Sequence, residues 1–104
     1  MNTFDVYLVN LDPTWGAEMN KVRPAVIISP SPMNKNLKTV IIAPLTHTMK
    51  GYPSRAAAHF NNQVGDVVLD QIRAVDKSRL KKKIGAIDAS TALKIKKILR
   101  TMFA

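Results

Sequence analysis

Short runs of β-forming residues, separated by loops that contain proline, glycine or asparagine, dominate the chain before residue 88. Apolar runs of this length bounded by turn residues are typical of strands. The predicted strands are Thr3–Leu11, Pro24–Ser29, Thr39–Leu45, Arg55–Phe60, Val67–Leu69, Ile72–Val75 and Ile84–Ile87. Taken alone, the three alanines at 56–58 would favour a helix. Asn61–Gly65 is predicted to be a turn, and residues 30–38 a polar connection.

The pattern changes at Ala89, where apolar residues begin to recur with the 3.6-residue period of an α-helix. The apolar stripe consists of Ala92, Ile95, Leu99 and Met102, with Ile98 beside it. Asp88 or Ser90 can cap the start of this helix. The sequence therefore predicts a mainly β fold, a small and mostly antiparallel barrel or curled sheet, with one amphipathic C-terminal α-helix docked on it.

A length of 104 residues fits one domain, residues 1–104, since typical domains run to about 100–150 residues. The chain has no cysteine, which excludes a disulfide scaffold, a thiolate zinc site and a cysteine nucleophile. Two histidines cannot build a His-rich metal site alone, so we expect no metal and no cofactor. No apolar run approaches the ~20 residues of a membrane span, and no signal-peptide pattern is visible, which predicts a cytoplasmic protein.

The net charge of +9 is concentrated at the C-terminal end of the chain. Residues 1–76 hold seven bases and six acids, whereas residues 77–104 hold nine bases and a single acid. A field of this sign implies an anionic partner, which could be nucleic acid, a membrane surface or an acidic protein. The same lysines, Lys81–Lys83 with Lys94, Lys96 and Lys97, can equally form a solvated outer face.

The first candidate site pairs Glu18, the only glutamate of the chain, with Arg23. Glu18 lies in a glycine-containing loop, and Pro24 biases Arg23 toward an extended backbone where this loop meets a strand. A carboxylate and a guanidinium could act as a base and a phosphate clamp, because arginine binds phosphate oxygens bidentately. From spacing alone, a surface ion pair explains the same two residues.

The second candidate is Thr46 with His47, at the start of a polar loop that directly follows a buried strand. Thr46 could donate a hydrogen bond to a phosphoryl oxygen, and His47 could move a proton near neutral pH. Alternatively, Thr46 satisfies backbone groups at the strand end and His47 is merely exposed.

Two loops, residues 12–22 and 46–55, combine aromatic rings with cations. The residues concerned are Trp15, Lys21, Lys50 and Tyr52. Rings beside cations suit single-stranded nucleic acid, whose unstacked bases lie on rings while its phosphates meet lysines. Trp15 could instead fill a subunit interface.

Asp70 and Gln71 interrupt two predicted strands. Such a pair can form a turn or a bulge, with its side chains bonded to the backbone. Gln71 could equally read the edge of a base, since amide groups pair with bases bidentately.

Four stretches resemble, in the same order, the MazF/PemK (Kid) family of bacterial toxins: DVYLVNLDPTWGAE (5–18), RPAVIIS (23–29), APLTHTMKGYP (43–53) and VVLDQIRAVDKSRL (67–80). The resemblance covers nearly the whole chain. It implies an SH3-like β-barrel of the CcdB/PemK type with a C-terminal helix, working as a homodimer. It also implies a metal-independent, sequence-specific endoribonuclease that cuts single-stranded RNA, typically mRNA, and an antitoxin whose acidic, flexible tail blocks the active site.

The resemblance also implies which residues carry the reaction. In the MazF-like branch, cleavage is assigned to the arginine of RPAV and to a threonine at the end of the third strand, which match Arg23 and Thr46. Glu18 is a further candidate. The Kid-like branch uses a histidine and an Arg-x-Asp pair, but this chain has Ala17 and Val68 there and keeps only Asp70, which leaves the catalytic role of Asp70 uncertain.

The reaction implied is attack of the ribose 2′-OH on the adjacent phosphorus, which leaves a 2′,3′-cyclic phosphate and a 5′-OH. Arg23 would stabilise the phosphorane, Thr46 would hold a phosphoryl oxygen and Glu18 would act as the base. The predicted RNA-binding residues are Trp15, Lys21, His47, Lys50, Tyr52 and Gln71.

Two alternatives remain open at the level of sequence. A CcdB-like gyrase poison would act by protein binding without RNA chemistry. A non-catalytic SH3-like or OB-like module would bind RNA with a strong salt dependence and leave it intact.

Overall fold

The computed structural model describes residues 1–11 and 22–104. Strands β1 to β7 are Asp5–Asn10, Val22–Ile27, Thr39–Thr46, Arg55–Phe60, Gln63–Val68, Arg73–Asp76 and Leu80–Ala86. Helices α1 and α2 are Ser31–Asn36 and Ala89–Met102, and 3₁₀ turns at Leu69–Gln71 and Lys77–Arg79 flank β6. The predicted mainly β fold with a C-terminal helix is confirmed.

The sheet is antiparallel and curls because β3 changes partners along its length. Its strand order is β4-β5-β3-β2-β1-β7, and β6 pairs with β3 beside this path. The first half of β3, Thr39–Ile42, pairs with β6, whereas its last residues, Leu45 and Thr46, pair with β5. β3 therefore connects a five-stranded unit (β7, β1, β2, β3 and β6) to the β4–β5 hairpin.

Side chains on one face of the five-stranded unit form what we name the five-strand core. Its buried members are Val9, Ala25, Ile27, Val40, Ile42 and Val75, and Tyr7, Leu11 and Leu80 pack against them. Each of the five strands supplies at least one of these apolar side chains. Since alternate residues of a strand face opposite sides, the intervening residues are free to build a second core.

The opposite face carries what we name the helix-side core. Its buried members are Val6, Val26, Ala43, Ala56, Ala58, Val67, Leu69, Ile87 and Ile95. Residues of the β4–β5 hairpin and of α2 therefore meet the first three strands here. Ile95 of α2 is completely buried, while Ile98 and Leu99 pack at the margin.

α2 starts at the N-cap Asp88, one of the two predicted caps. The carboxylate of Asp88 accepts the hydroxyl of Ser90 and the backbone N–H of Thr91, the latter at 3.4 Å. These hydrogen bonds lower the pKa of Asp88 to about 2. Met102 was predicted on the apolar stripe, but it lies about one turn beyond Leu99, the last residue packed on the core, and is 38% exposed.

Two neighbouring central strands each contain a proline, which lacks the backbone N–H that other strand residues can donate. Pro24 lies in β2 and Pro44 in β3, and the β2–β3 pairing runs only from Ile27↔Ile42 to Ala25↔Pro44. Proline has no N–H to donate to a ladder. The pairing of these two strands thus ends before the strands themselves do.

The predicted turn at Asn61–Gly65 is too long, because β5 already starts at Gln63. Asn61 and Asn62 both have positive φ values, 50° and 61°, and Phe60 pairs with Gln63 across them. This is the conformation of a two-residue hairpin loop, which asparagine tolerates better than most residues.

Two further elements differ from the sequence prediction. β7 begins at Leu80, not at Ile84, and includes Lys81–Lys83. These three side chains are exposed, because β7 is an edge strand and its lysines can keep their charges in water. The connection after β2 contains α1, in which a proline occupies the first turn and the buried Asn34 donates to the carbonyls of Ser29 and Met1.

No helix within residues 1–11 and 22–104 is long and apolar enough to cross a membrane.

Candidate active site

Five strand ends meet at one end of the five-stranded unit. Asn10 at the end of β1 pairs with Val22 at the start of β2, and Val9 pairs with Leu80 at the start of β7. The start of β6 and the end of β3 lie at the same end, since Ile42 pairs with Arg73. Both loops predicted to carry site residues, 12–22 and 46–55, therefore leave the sheet at this end.

Arg23 and Thr46 lie near the ends of the neighbouring strands β2 and β3. Ala25↔Pro44 is the last pair of the β2–β3 ladder, and Arg23 and Thr46 each lie two residues beyond it on their own strand. By strand alternation both side chains project from the face that carries Ala25 and Ile42. Arg23 is exposed and Thr46 is half-buried, so both side chains are accessible at this end of the unit.

The row continues across the hairpin. Thr46 pairs with Asp66 of β5, and Asp66 pairs with Ala57 of β4. We name Arg23, Thr46, Asp66 and Ala57 the site row. Sequence analysis did not identify Asp66, which is only 2% exposed.

Gly65 fixes how closely β5 approaches the end of β3. A Cβ atom at residue 65 would lie 2.2 Å from the backbone oxygen of Thr46, far inside contact distance. A glycine is therefore required here for steric reasons, and it sets the position of the Thr46 backbone. The hydroxyl of Thr46 in turn accepts the backbone N–H of Thr48 at 3.3 Å.

Two further arginines lie at the same end of the unit. Arg73 donates to the carbonyl of Leu11 at 3.1 Å, and Arg79 donates to the carbonyl of Asn10 at 3.4 Å. They hold the end of β1 and add positive charge to the end that presents Arg23. From the sequence, both were recorded only as part of the motif at 67–80; Arg73 is the first residue of β6, and Arg79 ends the 3₁₀ turn before β7.

Thr46 and His47 also line a small pocket of about 140 Å³. Its lining also includes Leu8, Pro24 and Phe60. His47 is exposed and directly follows Thr46 at the end of β3.

Tyr52, Arg55 and Asp70 form a cluster at the far end of the 46–55 loop. The Arg55 guanidinium lies 4.9 Å from the centre of the Tyr52 ring, and its Nε is 3.4 Å from the Asp70 carboxylate, which also accepts the Ser54 hydroxyl at 3.1 Å. Partial desolvation would raise the pKa of Asp70, but hydrogen bonds from its own backbone N–H and from Ser54, with the charge of Arg55, lower it below its ordinary value. Asp70 therefore holds the loop in place.

The other predicted RNA-binding residues divide into two groups. Lys50 and Gln71 are both exposed. The backbone N–H of Lys50 donates to Asp66 of the site row, and Gln71 lies in the 3₁₀ turn after Asp70. Trp15, Glu18 and Lys21 lie outside the described residues, so the structure neither joins them to the site row nor separates them from it.

Comparisons with known proteins identify the family of the chain. The model of the PemK-like, MazF-like toxin family of type II toxin–antitoxin systems matches residues 2–103. A protein named endoribonuclease MazF from Staphylococcus epidermidis is 35% identical over 97 residues, which cover 88% of this chain and 81% of that protein.

Two solved structures share the fold. The crystal structure of MazF from Deinococcus radiodurans has a TM-score of 0.78 at 26% identity and covers 99% of this chain and 96% of its own. An endoribonuclease in complex with its cognate antitoxin, from a Mycobacterial species, has a TM-score of 0.82 at 25% identity and covers 99% and 94%. The curled sheet, the C-terminal helix and the site row thus occur in a chain with the fold of a bacterial toxin. The chain belongs to the PemK-like, MazF-like toxin family, as the resemblance of its motifs predicted.

Proposed function

We propose that this chain is a sequence-specific, metal-independent endoribonuclease toxin that cuts single-stranded RNA, typically mRNA. Its family and the name of its Staphylococcus epidermidis relative, endoribonuclease MazF, support this function. The single observation that carries the proposal is the placement of Arg23 and Thr46 on one face, at the ends of two neighbouring strands.

The proposed reaction needs no external nucleophile. The ribose 2′-oxygen forms a bond to the adjacent phosphorus and loses its proton to a base, while the bond from phosphorus to the 5′-oxygen breaks and that oxygen gains a proton. The products are a 2′,3′-cyclic phosphate and a 5′-OH. Atoms and charge balance without a co-reactant, because the attacking group belongs to the substrate.

Each catalytic residue has a role that its chemistry suits. Arg23 binds the non-bridging oxygens bidentately and stabilises the charge that develops on the phosphorane. Thr46 donates its hydroxyl to one phosphoryl oxygen. Glu18 is the proposed base; the ordinary pKa of a glutamate is about 4.3, so its pKa must be raised for efficient proton transfer at neutral pH.

The residues of the 46–55 loop supply RNA contacts. Tyr52 is 50% exposed and is held by Arg55, which makes its ring a stacking platform for an unpaired base. Lys50, His47 and Gln71 are exposed and reach phosphates or base edges. Trp15 and Lys21 add further contacts from the 12–22 loop.

We further propose three properties of the working toxin. It acts in the cytoplasm, it is a homodimer, and a cognate antitoxin with an acidic, flexible tail neutralises it. The +9 charge of the chain favours such a tail, and the Mycobacterial endoribonuclease of the same fold is in complex with its cognate antitoxin.

Neither a gyrase poison nor a non-catalytic RNA-binding module is favoured. The curated relative is named an endoribonuclease, and neither alternative requires an arginine and a threonine at the ends of neighbouring strands.

The test is cleavage of a long RNA by the purified protein in the presence of EDTA. We expect discrete fragments whose 5′-OH ends accept phosphate from polynucleotide kinase without prior dephosphorylation.

Arg23→Ala should lower the rate at least about 10³-fold and leave the protein folded, because Arg23 is exposed and its charge acts on the transition state. Arg100→Ala, an exposed arginine in the last turn of α2, is the matched control and should cleave normally. Intact RNA with the wild-type chain, or normal cleavage by Arg23→Ala, contradicts the proposal.

A further inference from the structure

Asp66 combines a buried carboxylate with a place in the site row. Its side chain is among the least exposed polar groups of the described chain, at 2%, and it lies in β5 directly opposite Thr46. Directly opposed residues of an antiparallel pair have Cβ atoms about 4.5–5.5 Å apart. Burying a carboxylate is costly unless it accepts hydrogen bonds, so its partner is informative.

That partner belongs to the loop that follows Thr46. The backbone N–H of Lys50 donates to the Asp66 carboxylate at 2.9 Å, across 16 positions of the chain. Charge-assisted bonds of this kind are about twice as strong as neutral ones. The bond fixes the middle of the loop on the hairpin, next to the row.

Among residues 1–11 and 22–104, the other hydrogen bonds of this loop lie at its two ends. At its start, Thr48 donates to the hydroxyl of Thr46. At its end, the N–H of Arg55 donates to the carbonyl of Tyr52 at 3.0 Å, and Ser54 and Arg55 bond to Asp70. Between them, the contact with Asp66 determines where Lys50 lies relative to Thr46.

We propose that Asp66 is a positioning residue that holds the 46–55 loop against the site row, so that Lys50 and Tyr52 meet the RNA at fixed distances from the Thr46 hydroxyl. The inference rests on the proposed function, because it concerns how that site binds its substrate. Asp66 itself does not contact RNA: its carboxylate is buried and points its accepting oxygen at the loop backbone.

The chemistry of the side chain explains why an aspartate serves here. An ionised carboxylate only accepts hydrogen bonds and matches a backbone N–H. An asparagine keeps the shape but buries an NH₂ group that needs an acceptor, and an alanine removes the acceptor altogether. The loop should therefore be loosened in part by Asp66→Asn and more fully by Asp66→Ala.

The first measurement is amide hydrogen exchange at Lys50 by NMR, which reports on the anchor whether or not RNA is cut. We expect exchange to become at least about tenfold faster in Asp66→Asn, with folding checked by circular dichroism. Asp5→Asn is the matched control: Asp5 is also buried, at 6%, accepts the N–H of Asn2 and lies away from the site row. It should leave the Lys50 exchange rate unchanged.

The second measurement is RNA cleavage by the same variants. Asp66→Asn should raise KM about tenfold, keep kcat within about threefold of wild type, and broaden the sequence preference seen by fragment-end sequencing. Asp5→Asn should change neither KM nor preference, although it also perturbs a buried carboxylate. A merely structural role for Asp66 predicts that the two variants behave alike.

A variant pair in the loop tests the same bond from its other side, without altering the buried hairpin. Lys50→Pro removes the donor N–H, whereas Lys50→Ala removes the cation and keeps the N–H. Lys50→Pro should broaden the cleavage preference as Asp66→Asn does. Lys50→Ala should raise KM, because it loses a proposed phosphate contact, but should keep the wild-type preference, because phosphate contacts do not read sequence.

The outcomes separate the two proposals. A wild-type chain that cuts no RNA overturns the proposed function, and with it the role of Asp66. A wild-type chain that cuts RNA, together with unchanged Lys50 exchange or unchanged KM and preference in folded Asp66→Asn, overturns the role of Asp66 alone.

Discussion

The helix-side core and the site row are built by the same strands but differ in what covers them. Leu45 packs against the helix-side core, beneath the hairpin and α2, while its neighbour Thr46 belongs to the half-exposed row. The helix-side core is apolar and is covered by Ile95 of α2. The site row contains charged and polar side chains, namely Arg23, Thr46 and the buried Asp66. Because alternate residues of a strand face opposite sides, one residue can pack in the core that stabilises the fold while its neighbour belongs to the site row. Substitutions on the two faces should therefore have different consequences.

Of the substitutions that compare the two faces here, Thr46→Val is expected to have the largest effect. Valine keeps the β-branched shape and removes the hydroxyl, so the cleavage rate should fall about 10²–10³-fold. The melting temperature should stay within about 3 °C, because the residue is half-buried at a strand end. Initial cleavage rates and a thermal melt on the same preparation check both values. A rate close to wild type would show that the row does not carry the chemistry.

Ile95→Ala should have the reverse effect. Ile95 is completely buried in the helix-side core, and truncating such a residue costs about 2–5 kcal/mol of unfolding free energy. Urea denaturation measures this loss. Well below its melting temperature, the variant should cut RNA at the wild-type rate, because α2 does not contribute to the row. A large fall in kcat under those conditions would show that the two faces are coupled.

The smallest effect, from Asp88→Ala, distinguishes the cap of α2 from its packing. Loss of the N-cap should lower the melting temperature by about 5 °C near neutral pH. Because folding lowers the pKa of Asp88 from 3.8 to about 2, its stabilisation is fully present above pH 4 and is lost as the pH falls through 2.

The difference between wild type and Asp88→Ala should therefore shrink between pH 4 and pH 2. Asp88→Asn, which retains a capping side chain, should lose less stability than Asp88→Ala and serves as its control. A constant difference across this pH range would mean that the carboxylate charge is not what stabilises the helix start.

Features that depend on local sequence were predictable. The strand cores, the start of α2 and the cap at Asp88 follow from β-forming runs, apolar period and capping chemistry over a few residues. The motif resemblance identified the family and nominated Arg23 and Thr46, whose catalytic roles stay predictions; both lie near the ends of the paired strands β2 and β3.

Features that depend on long-range pairing were not predictable. The burial of Asp66 depends on its place opposite Thr46, 20 positions away, and on a loop amide; nothing in the string VGDVV indicates it. The early start of β7 was missed because three consecutive lysines suggest a solvated stretch, although an edge strand can keep all of them in water. The hairpin at Asn61 and Asn62 required recognition of two consecutive left-handed residues.

The end of the β2–β3 ladder has a consequence for substrate binding. The ladder stops at Ala25↔Pro44, so it does not hold the strand ends that carry Arg23 and Thr46 to each other. A substrate phosphate bound by both side chains should therefore tie these two ends together and make them more rigid than in the free protein.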